Sequence, residues 1–513
     1  MINTLFISSV SACFELENDL PFNSGESYDV YLDGKKLYSG DTNVFSVYGL
    51  VPSREYTLEV SGFGSIGFKT ADESCALNVK DFGAKGDGIT DDTLSIQTAI
   101  NCLPKNGRLY FPEGTYSTAP LSLKSHITLD ISENAVLYGS ADPSRYPLIP
   151  GTAKDMVTGE EIHFGTWEGN ASAMHQALIS AEYAENITII GRGTIDGNAR
   201  NGGWWENVKQ REIPRPRLLF FNRCKGVTVH GPTIQNAASW QIHPYFSTQL
   251  SFLDLSVNAP KDSPNTDALD PEACDDVRIL GCRFSVGDDC IAIKSGKIDI
   301  GKKFKQPASR HVIRNCLMQY GHGAVTLGSE MAGGVKELTV ERCIFYHTDR
   351  GLRIKTRRGR GRDAVIDGVL FGNIKMDGVL TPIVINMWYN CCDPDRYSEY
   401  NTTREALPVD DRTPYLGSFT FRGMECKNCH IAACYCDGLP EMPIGSVTLE
   451  DMRFTYAEDA QKGVPAMRNN AEEMCRAGMY FDNVKKLKIS NVSVEGCDGD
   501  PLIMHNVGEM IGE

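Results

Sequence analysis

The sequence predicts an all-β chain, a parallel β-helix preceded by a small β-sandwich. Short β-type runs recur from about residue 105 onward at irregular intervals of about 22–40 residues, among them Ile127-Thr128-Leu129, Ile187-Thr188-Ile189, Val227-Thr228-Val229, Val277-Arg278-Ile279 and Leu487-Lys488-Ile489. Each tends to be followed by a Gly or Asn and a second short run, as expected where one coil covers the apolar face of the next. The 49 Gly and 24 Pro among 513 residues fit a chain of many turns.

Residues 1–75 read differently. Tyr28-Asp29-Val30-Tyr31-Leu32 alternates, Asp33-Gly34 supplies a hairpin turn, and Tyr56-Thr57-Leu58-Glu59-Val60 alternates again after the turn at Gly49-Leu50-Val51-Pro52. The Gly-Leu-x-Pro…Tyr-x-Leu-x-Val pattern resembles a fibronectin type III module. A boundary near Ala71–Cys75 separates it from a second unit, 76–513. That unit opens on a Gly-rich stretch, Gly83–Gly88, without the order of a phosphate-binding loop. We read it as the entry to a helix capped by Asp91 or Asp92, with Ile96, Ile100 and Leu103 facing inward and covering the first strands.

Composition narrows the function. A formal net charge of −15 argues against nucleic-acid and anionic-membrane binding, both of which call for a basic surface. No apolar run approaches the roughly 20 residues that span a bilayer. The first residues lack a basic n-region, and 17 scattered Cys read as reduced thiols. A bacterial cytoplasmic location is expected, or a secreted or periplasmic one if a signal peptide has been removed. Cys426-x-x-Cys429-His430…Cys434-x-Cys436 has the composition of a zinc site, but its small, apolar surroundings favour free core thiols. Cys391-Cys392 gets the same reading. No cofactor or metal is expected.

The chemistry lies in four signatures: Asn265-Thr266-Asp267, Gly287-Asp288-Asp289, Gly321-His322-Gly323 and Arg353-Ile354-Lys355. Each alone reads blandly, as a solvated turn, a structural His or a basic face. In a stack of coils, however, residues far apart in sequence line up on one face. Asp267 and Asp288 lie 21 residues apart, close to one coil. Glycoside hydrolysis needs a carboxylic acid for the leaving oxygen and a base for water or a nucleophile. Clustered carboxylates raise at least one pKa and so supply the acid. Arg353 and Lys355, two apart, point the same way on a strand and could bind a sugar carboxylate. The set therefore points to hydrolysis of an acidic oligo- or polysaccharide.

With Gly193-Thr194-Ile195-Asp196-Gly197-Asn198, Trp240-Gln241-Ile242-His243-Pro244 and Asp393-Pro394-Asp395, these signatures resemble glycoside hydrolase family 28, the polygalacturonase family, over most of the chain. The resemblance implies a right-handed parallel β-helix and inverting hydrolysis of α-1,4-linked galacturonate. Asp288 would be the general acid, Asp267 and Asp289 would activate water, and His322 would sustain the acid. Arg353 and Lys355 would hold the substrate carboxylate. His243, Arg357, Arg358 and Arg360 are further candidates for binding the galacturonan, and Trp240 is read as core. Two departures stand out: Ala268 follows Asp267 where Gly is usual, and residues 298–309 look like an insertion at the cleft. Exo action is expected, because extra loops and the N-terminal module could close one end of the groove. The alternatives are a pectate-lyase-type eliminase using Ca²⁺ on the three carboxylates, a hydrolase of rhamnogalacturonan or xylogalacturonan, and a non-catalytic sugar-binding β-helix.

Overall fold

The structure, a computed structural model, describes residues 1–154, 156–390 and 397–512. Cys391-Cys392 and Asp393-Pro394-Asp395 lie outside the described residues.

The N-terminal residues form two antiparallel sheets. Ile2–Ile7, Ser11–Leu16 and Val44–Tyr48 make one, and Lys35–Thr42, Asn23–Leu32, Glu55–Val60 and Gly64–Lys69 the other. Tyr28, Val30, Tyr56, Leu58 and Val60 turn inward, as their alternation dictates, onto Phe14, Phe45 and Phe68. Asp33 and Gly34 both take positive φ, the backbone that a two-residue hairpin between Leu32 and Lys35 requires.

The rest is a parallel β-helix with three faces. The first face stacks Gly107–Phe111, Ile127–Ile131, Glu185–Ile190, Lys225–His230, Thr248–Leu253, Asp275–Leu280, Ala308–Arg314 and Val335–Glu341. The second stacks the short strands that follow them, such as Ser256–Asn258, Arg283–Ser285 and Leu317–Gln319. The third stacks Leu219–Asn222, Ile242–Tyr245, Ile291–Ile293, Val325–Gly328, Arg350–Lys355, Thr381–Asn386 and Ala432–Asp437. Single bridges from Leu269 and Glu272 complete it. Strict register builds the core: Val229, Phe252, Ile279, Ile313, Val340, Phe371, Phe421 and Leu449 form one fully buried column. Each such side chain is removed from water by its neighbours one coil away, stabilising by roughly 1.5–3 kcal/mol per residue.

The entry helix, Thr93–Cys102, buries Ile96, Ala99 and Ile100 against the first coils. The side chains of the two expected capping residues divide the work. Asp92 accepts from the backbone N–H groups of Lys85 and Gly86, and it is Asp91 whose carboxylate accepts from Thr93 N. Cys426, Cys429, Cys434 and Cys436 pack in the main core, while His430 Nδ1 accepts from Gln461 N.

The sandwich docks on the corner between the first and second faces. Glu15 accepts from Arg314, Asn315 and Arg342, Ser46 Oγ donates to Asp254, and Tyr48 stacks on His230 with ring centroids 5.3 Å apart. Gly281 is required here, because a Cβ would stand 2.4 Å from Val44. The cleft described below opens on the third face. The expectation that the N-terminal module closes the groove is therefore overturned. Among the described residues, none of the module's lines the cleft.

Candidate active site

On the third face, side chains alternate between the core and the outside. Two outward columns result. One runs His243, Asp270, Ala292, Thr326, Arg353, Val384 and the other Tyr245, Glu272, Lys294, Gly328, Lys355, Asn386. The turns leading into successive coils carry Asp267, then Asp288 and Asp289, then His322. These columns and turns meet in a cleft of about 480 Å³.

One carboxylate oxygen from each of Asp267, Asp288 and Asp289 lies within 4.8 Å of the others. Asp289 is buried. Its Oδ1 accepts from Arg353 Nη1 at 3.0 Å and its Oδ2 from Lys355 Nζ at 2.9 Å. Burial raises its carboxyl, but Lys355 and Arg353 outweigh burial and hold it well below the usual range. Asp267 is equally buried and lacks that support, since its Oδ1 has no hydrogen-bond partner. Burial first, then Asp270 and Asp288, push it well above the usual range. Asp288 is half-buried and nearest to solvent of the three, and its Oδ1 accepts from Asp289 N. The trio thus combines an anion fixed by two cations, Asp289, with a carboxyl whose ionisation burial and its acidic neighbours oppose, Asp267.

His322 stands exposed at the cleft mouth, its backbone N–H on Asp288 O. Its Nδ1 donates to Asp349 Oδ2 at 2.7 Å. That hydrogen bond raises its pKa, against the opposing effect of burial and with help from Asp288.

The sequence reading missed four members of the site. Asp349 orients His322. Lys294, almost fully buried in the cleft lining, lies within 3.4–4.0 Å of Glu330, Asp270 and Asp267. Burial pushes Asp270 up to about 7, with Lys294 opposing it, while Lys294 and Lys355 overcome burial to hold Glu330 down to about 2. Trp167 stacks on Trp240 at 5.7 Å and 10°. Trp240 is almost fully buried, as its core reading predicts, yet its ring also lines the cleft.

Three expectations need correction. His243 is fully buried, away from the cleft lining. Its Nδ1 accepts from Arg217 Nε and its Nε2 donates to Glu272, so it braces the floor and cannot reach a sugar. Arg358 is buried against Glu441 and the carbonyls of Tyr400, Thr403 and Glu405, where it pins a surface loop. Arg357, like Arg360, is buried and outside the cleft lining. Arg358 therefore serves folding, because a buried loop needs donors for its carbonyls.

Two segments outside the coils line the cleft. Residues 140–176 leave the coil and return as three small hairpins, one pairing Thr166–Trp167 with Asn170–Ala171. Its tip packs on the segment that includes the helix Ile298–Phe304, inside the insertion read from sequence: Lys297 N donates to Gly169 O at 2.9 Å, and Lys303 Nζ lies 2.9 Å from His163 Nε2. A second lip, Pro465–Met467, is held by Arg350 through the carbonyls of Val464 and Pro465, and by Asn386 through Met467 O.

Comparison with known proteins agrees with this geometry. The family description "Glycosyl hydrolases family 28" matches residues 153–405, and "Rhamnogalacturonase A/epimerase, pectate lyase-like" matches 76–213. A probable polygalacturonase of Vitis vinifera is 30% identical over 400 residues, 75% of this chain and 76% of that protein. More distant relatives include an exo-poly-alpha-D-galacturonosidase of Dickeya chrysanthemi and an endo-polygalacturonase of Pectobacterium carotovorum. Among solved structures, the Thermotoga maritima exopolygalacturonase is 26% identical, with a TM-score of 0.62 over 78% of this chain and 93% of that one. The Yersinia enterocolitica family 28 exopolygalacturonase is 19% identical and shares the fold over 100% of this chain and 98% of that one, with a TM-score of 0.74. The chain belongs to glycosyl hydrolases family 28, the polygalacturonase family, and is a glycoside hydrolase built on a right-handed parallel β-helix.

Proposed function

We propose that the protein hydrolyses α-1,4-galacturonosyl linkages and acts from one end of its substrate. The observation that carries the reading is the triad of carboxylates beside Arg353 and Lys355 in a cleft lined by the Trp167 hairpin. Asp288, half-buried and reachable, protonates the leaving oxygen. Asp267 and Asp289 flank the attacking water, and His322 sustains Asp288. Arg353 and Lys355 serve twice, fixing Asp289 and offering positive charge to a galacturonate carboxylate. The hairpin at Trp167 and the segment at Lys297 support exo action, in place of the N-terminal module. The buried free thiols support a reducing compartment.

The family resemblance implies inversion. The nearest carboxylate oxygens, within 4.8 Å, are closer than the roughly 6.5–9.5 Å usual between carboxyl groups of inverting pairs. The anomer formed first, followed by NMR, reads the stereochemistry directly, and β-galacturonate is the expected product. A Ca²⁺-dependent eliminase fits the residues poorly, because both oxygens of Asp289 already accept from fixed cations. Digestion of defined galacturonate oligomers tests the whole reading. Saturated mono- or digalacturonate from the first time point is expected, unchanged by chelator. Ultraviolet-absorbing products would replace hydrolysis by elimination, and mixed internal fragments would remove exo action.

A further inference from the structure

We propose that Lys294 is a positioning residue for the reaction, whose buried ammonium group orients the Asp267 carboxyl group in the cleft and supplies its counter-charge. The proposal rests on the reading that Asp267 activates water.

Cations are unevenly shared among the three carboxylates. Arg353 and Lys355 both donate to Asp289. The ammonium of Lys294, 4.0 Å from Asp267 Oδ2, is the one cation in ion-pair range of Asp267 among the described residues. Lys294 is itself immobilised. Glu330 Oε2 lies 3.4 Å from its Nζ, Asp270 Oδ2 lies 3.6 Å away, and the Trp240 ring sits 4.5 Å off. Its side chain lines the cleft but is only 4% exposed, its ammonium engaged by carboxylates and an indole. Lys294 precedes Lys355 in the same outward column with Gly328 between them, and a Cβ at Gly328 would stand 2.4 Å from Lys355 O. The two lysines thus serve two different aspartates from two different coils.

The charges facing Asp267 make the need clear. Asp270 on its own coil and Asp288 and Asp289 on the next all disfavour its ionised form, as does burial. Lys294 favours the ionised form, and Arg215 and Arg217 interact favourably with Asp267 from two coils earlier. Arg215 is committed to the carbonyls of Ala238 and Pro264 and to Asn265 Oδ1, and Arg217 to Thr166 O and His243. A base that must be an anion in this setting depends on the nearby ammonium.

The test uses the full chain and defined galacturonate oligomers. Lys294→Met is expected to lower kcat at least about 100-fold, with KM changed by less than about threefold. The acid limb of kcat/KM should move to higher pH, and Lys294→Arg should restore part of the rate. Lys294→Gln, which keeps a polar side chain but no charge, should move the acid limb to higher pH in the same way. That second variant decides the matter if Lys294→Met does not fold. A large rise in KM with kcat retained would make Lys294 a substrate ligand and overturn the proposal, as would unmoved acid limbs. Asp267→Asn separates the two ideas. Near-wild-type activity there would sink the role of Asp267, whereas its loss alongside an active Lys294→Met with an unmoved acid limb would sink only the role of Lys294.

Discussion

His322 and Asp349 join neighbouring coils through a hydrogen bond of 2.7 Å between Nδ1 and Oδ2, leaving Nε2 of the imidazole for the cleft. The carboxylate fixes the tautomer and favours the imidazolium. Asp349→Asn keeps the shape and removes the charge. The alkaline limb of the activity profile should then move to lower pH, because the raised pKa of His322 falls. A loss of about tenfold in kcat is expected, at the low end for a group acting through another. An unmoved alkaline limb would separate His322 from the acid's protonation.

Asp288 is half-buried, and among the described residues its Oδ1 accepts one hydrogen bond, from the backbone N–H of Asp289. Asp288→Asn should leave the melting temperature almost unchanged and lower kcat at least about 100-fold. Thermal melts and steady-state kinetics on one sample check both halves. A near-wild-type rate contradicts its role as acid.

Lys355 donates to Asp289 and, in the proposed function, also holds the substrate carboxylate, so its removal has two expected effects. Lys355→Met should raise KM for acidic oligomers, and it should also lower kcat because the carboxyl of Asp289 rises once a partner is gone. The second effect should be worst at low pH. A pure KM effect would mean that Arg353 alone keeps Asp289 ionised.

Gly169 sits at φ +73°, and a Cβ there would stand 2.6 Å from Lys297 N. Gly169→Val should lift the Trp167 hairpin off the segment it seals against. Chromatography of early digests should show longer and more varied products than the wild type. Mono- and digalacturonate in unchanged proportion would separate the hairpin from exo action.

Glu15 ties the sandwich to the β-helix through Arg314, Arg342 and Asn315, and its side chain is only 4% exposed. Glu15→Ala leaves two arginines short of their counter-charge and is expected to destabilise by about 3 kcal/mol. Because the cleft lies on another face, kcat should be unchanged at a temperature where both proteins are folded.

The coils and the reacting groups were legible because both leave local traces. Alternating apolar runs mark strands, and Asp, His and Arg-x-Lys signatures beside them mark one side of a stack. The remainder depends on contacts that spacing does not encode. Asp349 could have been suspected, since it immediately precedes Arg350-Gly-Leu-Arg-Ile-Lys, one coil beyond His322. Lys294 ends the apolar strand Ile291-Ala292-Ile293, an odd place for a charge unless acids surround it. Trp167 gave no such sign, because its meaning comes from Trp240 and from the segment at Lys297, far along the chain. Arg358 and His243 misled for the opposite reason: their chemistry suits a sugar, but packing directs them to carbonyls and to Glu272.

The three-faced stack also bears on how such a protein can change over evolutionary time. Asp267, the Asp288–Asp289 pair, His322 and the Arg353–Lys355 pair belong to consecutive coils, so gain or loss of a whole coil among them would pull the machinery apart by one strand spacing, about 4.8 Å per step. Coils before residue 219 or after residue 437 carry none of these groups, and each touches mainly its immediate neighbours. Lineages could lengthen or shorten the protein at its two ends and vary the loops at its corners, while the four central turns are inherited as a block.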